Sequence, residues 1–66
     1  MNMNHPSNQL LKITEVAELL TVSPRTIRRW MKTEGFPKPI EFSGKAHRWW
    51  LEDVENWVND RKFNNE

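Results

Sequence analysis

The stretch Thr14 to Glu34, TEVAELLTVSPRTIRRWMKTE, decides the fold. Val16, Leu19 and Leu20 recur at i, i+3 and i+4, the spacing of a helix that buries one face. Thr14 is placed to cap that helix and Glu15 falls in its first turn. Thr21-Val22-Ser23 then breaks the pattern. Ser23 is an N-cap residue for a second helix, with Pro24 at the first helical position, where its missing N–H costs nothing. Ile27, Trp30 and Met31 resume helical spacing. With Ile27 at the centre of the buried side, a period of about 3.6 residues sets Arg25, Arg29 and Lys32 on the opposite face and Arg28 on its flank. Two helices, a short turn and a cationic outer face on the second make a helix-turn-helix.

A cationic helix face is often no more than a solvated surface. Such surfaces usually mix signs, because opposite charges at i, i+4 stabilise a helix and like charges do the reverse. Arg25 with Arg29 and Arg28 with Lys32 are both like-charge pairs at that spacing. Accepting that local penalty favours a polyanionic partner. Net charge is only +1, but its distribution is uneven. Residues 25–48 hold seven cations against Glu34 and Glu41, while the rest of the chain holds three cations against seven acids. A dipolar molecule of this kind turns one side to phosphates and holds the other away.

Length sets further bounds. Sixty-six residues make one small domain, and a chain of this size buries only about 60% of its unfolded surface. Four Trp and three Phe supply the dense core that such a domain needs. With no Cys, neither a disulfide framework nor a thiolate metal site is available. No apolar run approaches the ~20 residues of a membrane span, and the N-terminus lacks the features of a signal peptide. A cytoplasmic protein is expected.

In chain order, residues 1–9 read as a flexible tail, 10–62 as the folded domain and 63–66 as a frayed end. Leu10, Leu11 and Ile13 lead into the first helix and are read as an anchor for it, in the form of a short strand. Ala17 stands where the two helices approach closely. Gly35 follows the second helix as a C′ residue, and Phe36-Pro37-Lys38-Pro39 forms a stiff connector. Ile40 to Trp49 reads as a β-hairpin turning at Ser43-Gly44-Lys45. A two-residue loop, at either Ser43-Gly44 or Gly44-Lys45, puts Ile40, Phe42, His47 and Trp49 on one core-closing face, with Glu41 and Arg48 on the other. Arg48 then either pairs with Glu41 or faces DNA, whereas Lys45 stands unpaired at the tip. Trp49 and Trp50 must point to opposite faces, one of them into the core. Leu51 to about Arg61 forms a third helix with a buried stripe of Val54, Trp57 and Val58 and an acidic outer face.

The order helix-turn-helix, GFPKP, hairpin, Arg48-Trp49 and then Asp53-Val54-x-x-Trp57 resembles the AlpA-like family of small phage and genomic-island regulators. That family lies within the MerR-like winged-helix group that includes excisionases. Further matching residues are Glu15 to Leu20, Val22-Ser23 and Thr26-Ile27, and the departure is Trp50, where a polar residue is expected. The resemblance implies a mainly α fold with a small β-hairpin, three helices plus a wing, whose second helix enters the major groove of double-stranded DNA. It also implies a role as a recombination directionality factor acting with a tyrosine integrase, as a transcriptional regulator of integrase or prophage genes, or as both. Further copies of the protein along the DNA are a second implied partner. On this reading Arg25, Thr26, Arg28 and Arg29 contact bases, and Ser23, Lys32, Lys45 and Arg48 serve phosphates or the wing. The chain shows no nucleophile–base pair, metal-ligand set or phosphate-binding loop, so neither an enzyme nor a cofactor or small-molecule site is expected.

Overall fold

Hydrogen bonds local to each segment set most of the element boundaries. The computed structural model describes residues 9–64; residues 1–8 of the expected tail, with Asn65 and Glu66, lie outside the described residues. The elements run β1 (Leu10–Leu11), α1 (Ile13–Leu20), α2 (Pro24–Thr33), β2 (Ile40–Glu41), β3 (His47–Trp50) and α3 (Leu51–Asn64). Helix α1 starts one residue before the expected cap Thr14. Lys12 is its extended N-cap residue, and the Glu15 carboxylate accepts the Lys12 backbone N–H at 2.8 Å. The acid at N3 therefore secures the free end that the Thr14 hydroxyl was expected to hold.

Helix α1 ends on a left-handed residue, Thr21 at φ 57°. There the Val22 N–H reaches back to the Ala17 carbonyl at 2.9 Å and the Thr21 N–H to that of Glu18 at 3.1 Å. This pair of bonds is the Schellman arrangement, which absorbs orphan carbonyls and reverses the chain within three residues. Helix α2 then begins as anticipated, with the Ser23 hydroxyl accepting the Thr26 N–H at 3.2 Å and Pro24 in the first turn. At its other end Gly35 takes φ +69°, which costs a glycine nothing, and the Phe36 N–H returns to the Trp30 carbonyl.

Leu11, Val16, Ala17, Ile27, Phe36, Trp49 and Val54 form the buried core, drawn from every element except β2. An aromatic cluster closes it. Phe36 meets Trp57 edge-on at 4.8 Å between centroids, and Trp30 lies 5.3 Å from Trp57. The Trp49 indole N–H donates to the Pro37 carbonyl at 2.8 Å, pinning the proline connector against the sheet. Strand β3 is central, pairing antiparallel with β2 over its first half and with β1 over its second. The strand expected at Leu10–Leu11 is thus present, and Gln9 joins the fold through its carbonyl, which accepts the Leu51 N–H.

The hairpin register corrects the expected one. Phe42 N–H donates to the Ala46 carbonyl, and Ile40 and Glu41 stand opposite Arg48 and His47. Ser43, Gly44 and Lys45 all lie in the loop, so it spans three residues and the parity changes. A slip of one residue moves a whole set of side chains to the other face. Ile40 and Phe42 now share a face with Arg48, while Glu41 shares one with His47 and Trp49. Phe42 is consequently 56% exposed instead of closing the core. Glu41 has lost the position from which it would have paired with Arg48. Trp49 is the buried member of the tryptophan pair, and Trp50 stands on the outer face opposite Leu10.

Helix α3 runs to Asn64, past the expected Arg61 and into the residues expected to fray. Of its predicted stripe Val54 is fully buried and Trp57 half-buried, but Val58 is exposed. Val58 and the exposed Leu19 of α1 instead line an open groove between the two helices.

Candidate nucleic-acid interface

The orientation of α2 decides what it can present. Ile27 has no accessible surface, so the helix is anchored by the residue placed at the centre of its apolar face. Arg25, Arg28, Arg29 and Lys32 are all exposed. Among the described residues one ion pair forms, between Arg61 and Glu34 at 3.1 Å. None of the four α2 cations is therefore neutralised by a described carboxylate, and all four are free for an external anion.

The polar residues at the start of α2 are partly engaged. Thr26 is half-buried, and its hydroxyl lies 3.1 Å from that of Ser23. Ser23 holds the Thr26 N–H as well, so its main duty here is to start the helix. A hydroxyl both donates and accepts, so either residue retains a free hydrogen-bonding position.

A groove of about 480 Å³ runs between α2, the hairpin and the start of α1. Met31 and Trp49 help to floor it, while Arg28, Lys45, Arg48, Lys12 and His47 supply its polar lining. Of the three arginines predicted to read bases, Arg28 alone shares this groove with the wing cations Lys45 and Arg48. Arg25, Arg29 and Lys32 stand on the outward face of α2. Arg48 is half-buried and donates to the His47 carbonyl at 2.8 Å, which fixes its guanidinium along the strand. Lys45 is exposed in the turn, where Gly44 adopts φ +54°.

Lys12 and His47 were not among the predicted residues. Lys12 reaches the groove only because β1 pairs with β3 and brings the start of α1 beside the hairpin. His47 keeps the expected face of Trp49, but it stands exposed at the hairpin end of β3 instead of closing the core. No local pattern in the chain marks either residue. Glu52, Asp53, Glu55 and Asp60 are exposed along α3, and none of them lines the groove. No cluster of three or more His, Cys, Asp or Glu residues able to hold a metal ion forms among the described residues. No described helix is long and apolar enough to cross a membrane.

This geometry is that of a winged helix-turn-helix, a class in which the second helix and the hairpin approach nucleic acid together. The family described as "Helix-turn-helix domain" matches residues 10–62, and the chain belongs to this helix-turn-helix family of AlpA/excisionase type. It is a DNA-binding protein by that membership. Among curated proteins the chain is similar to Protein YkgV of Escherichia coli strain K12, at 30% identity over 56 residues, covering 79% of this chain and 74% of the relative. No solved structure matches the chain significantly.

Proposed function

We propose that this protein is a sequence-preferring, architectural DNA-binding protein of the excisionase type, which binds attachment-site DNA and directs a tyrosine integrase toward excision of a prophage or genomic island. The observation that carries the reading is the unpaired cationic face of α2 beside a groove lined by the wing cations. Arg25, Arg28 and Arg29 are the base readers, since a guanidinium can bind guanine O6 and N7 together. Thr26, near the N-terminus of α2, contacts a thymine methyl or a phosphate. Ser23, Lys32, Lys45 and Arg48 hold the backbone and set the register. Neither a catalytic step nor a cofactor enters this mechanism. Excision is directed by the shape that the bound DNA adopts.

The experiment is footprinting across the attachment region, followed by excision reconstituted with the neighbouring integrase, with and without this protein. Excision that depends on the protein supports the reading. Protection of an integrase or prophage promoter with no effect on excision supports instead an AlpA-type transcriptional regulator, which the same surface would serve.

A further inference from the structure

Among the described residues, Phe42 is the most exposed of the large hydrophobic side chains, at 56%. It lies immediately before the Ser43-Gly44-Lys45 loop, at the outer end of the hairpin. Its hydrogen-bonded partner across the strands is Ala46, a side chain too small to cover the ring. The three-residue loop turns Phe42 onto the face that carries Arg48, whereas the hairpin's acid, Glu41, is turned onto the opposite face with His47. The tip thus presents an aromatic ring flanked by Lys45 and Arg48, with the nearest carboxylate directed the other way.

Resting on the DNA-binding reading, we propose that Phe42 is an apolar wedge at the wing tip, which enters the minor groove and unstacks one base step while Lys45 and Arg48 hold the flanking phosphates. Proteins that bend DNA through the minor groove combine basic side chains with an inserted apolar residue in this way. A docking surface for another protein fits the same residue less well. The next exposed aromatic on that face, Trp50, lies four residues beyond Ala46, or about 13 Å along the strand. Between them stand Ile40 and Arg48, both half-buried. A lone ring beside two cations is a small area for a protein interface, which takes about 800 Å² per partner. It is sufficient to occupy one opened base step. Lys45 and Arg48 also line the groove that holds Arg28, so the same two wing cations connect the wedge to α2.

The test uses duplexes that the full chain enriches from a randomised DNA pool. They carry 2-aminopurine at successive base steps and a donor–acceptor dye pair at the ends. The wild-type protein is expected to raise 2-aminopurine fluorescence at one step flanking the α2 site and to shorten the end-to-end distance. Phe42→Ala is expected to keep the thermal midpoint, to remove both signals and to bind about tenfold more weakly, because one ring no longer leaves water. Phe42→Leu should restore part of the bend. Enrichment and affinity that survive Phe42→Ala with fluorescence and bend unchanged would overturn the wedge and leave DNA binding standing. Phe42→Ala that changes self-association without DNA, but not the bend, would assign the ring to a protein contact and also overturn it. If wild type enriches no duplex, both readings fail together.

Discussion

The indole N–H of Trp57 donates to the backbone carbonyl of Glu34 at 3.1 Å, tying the middle of α3 to the end of α2. Arg61 closes the same junction, lying 4.7 Å over the Trp57 ring and bridging to the Glu34 carboxylate. The two components differ in weight. The ion pair joins side chains that are 44% and 39% exposed, so Glu34→Gln should change stability by less than about 1 kcal/mol. Trp49→Phe, which strips a partner from the Pro37 carbonyl in a part-buried setting, should cost about 1–3 kcal/mol. Trp57→Phe should fall between them. Urea unfolding of the three variants checks the order, and equal midpoints would show that the indole–carbonyl bonds carry no weight.

Thr21 holds a β-branched side chain at φ 57°, a left-handed backbone costing an L-residue roughly 1–2 kcal/mol. A glycine adopts that conformation freely, though it also gains freedom in the unfolded chain. Thr21→Gly is therefore expected to raise stability by about 0.5–1 kcal/mol, the net of the strain relieved and the entropy added. A lower thermal midpoint for this variant would mean that the Thr21 side chain contributes more than its backbone strain costs.

Ala17 is 3% exposed in the core and its carbonyl accepts the Val22 N–H, so there is no room and no slack around it. Ala17→Leu forces extra methylenes into a packed site, which costs about 1–3 kcal/mol and more where the backbone cannot shift. In a domain of this size that loss should unfold the protein or separate α1 from α2 and abolish DNA binding. Circular dichroism melting and a gel-shift assay read the two effects. An unchanged midpoint with unchanged binding would contradict the close helix approach.

Base readers and phosphate holders make different predictions. Arg29→Ala should lose about 1–3 kcal/mol on the preferred duplex and relax its base preference. Lys45→Ala should weaken all duplexes alike and flatten the slope of log K against log salt by about 1. Titrations at several salt concentrations, on a preferred and a scrambled duplex, separate the two. Replacing Arg25, Arg28 and Arg29 together by Ala without effect on either duplex would remove α2 as the DNA-reading surface.

Much of this was legible along the chain because it rests on neighbours. The Ser23 cap, Pro24, the Ile27-centred face of α2 and the glycine after it are each set by residues within one or two turns of one another. The resemblance built on Glu15–Leu20, Gly35–Pro39 and Asp53–Trp57 led to the same family. The N-cap of α1 was misplaced by two residues because Thr14 and Glu15 offer competing ways to satisfy the same end, and the acid at N3 prevailed.

What the chain by itself determined was the helix-turn-helix, the cationic outer side of α2 and the acidic outer side of α3, all consequences of periodicity and local capping. Only the tertiary structure decided the hairpin register, and with it whether Phe42 is buried or exposed and which side chains join Arg28 in the groove. The reason lies in the parity of a strand. Loops of two or three residues at Ser43-Gly44-Lys45 are both open to the sequence, yet they place the β2 side chains on opposite faces relative to those of β3. The choice depends on how Trp49 packs against Leu11, Phe36 and the connector held by Pro37, residues distant in sequence that meet only in the folded domain.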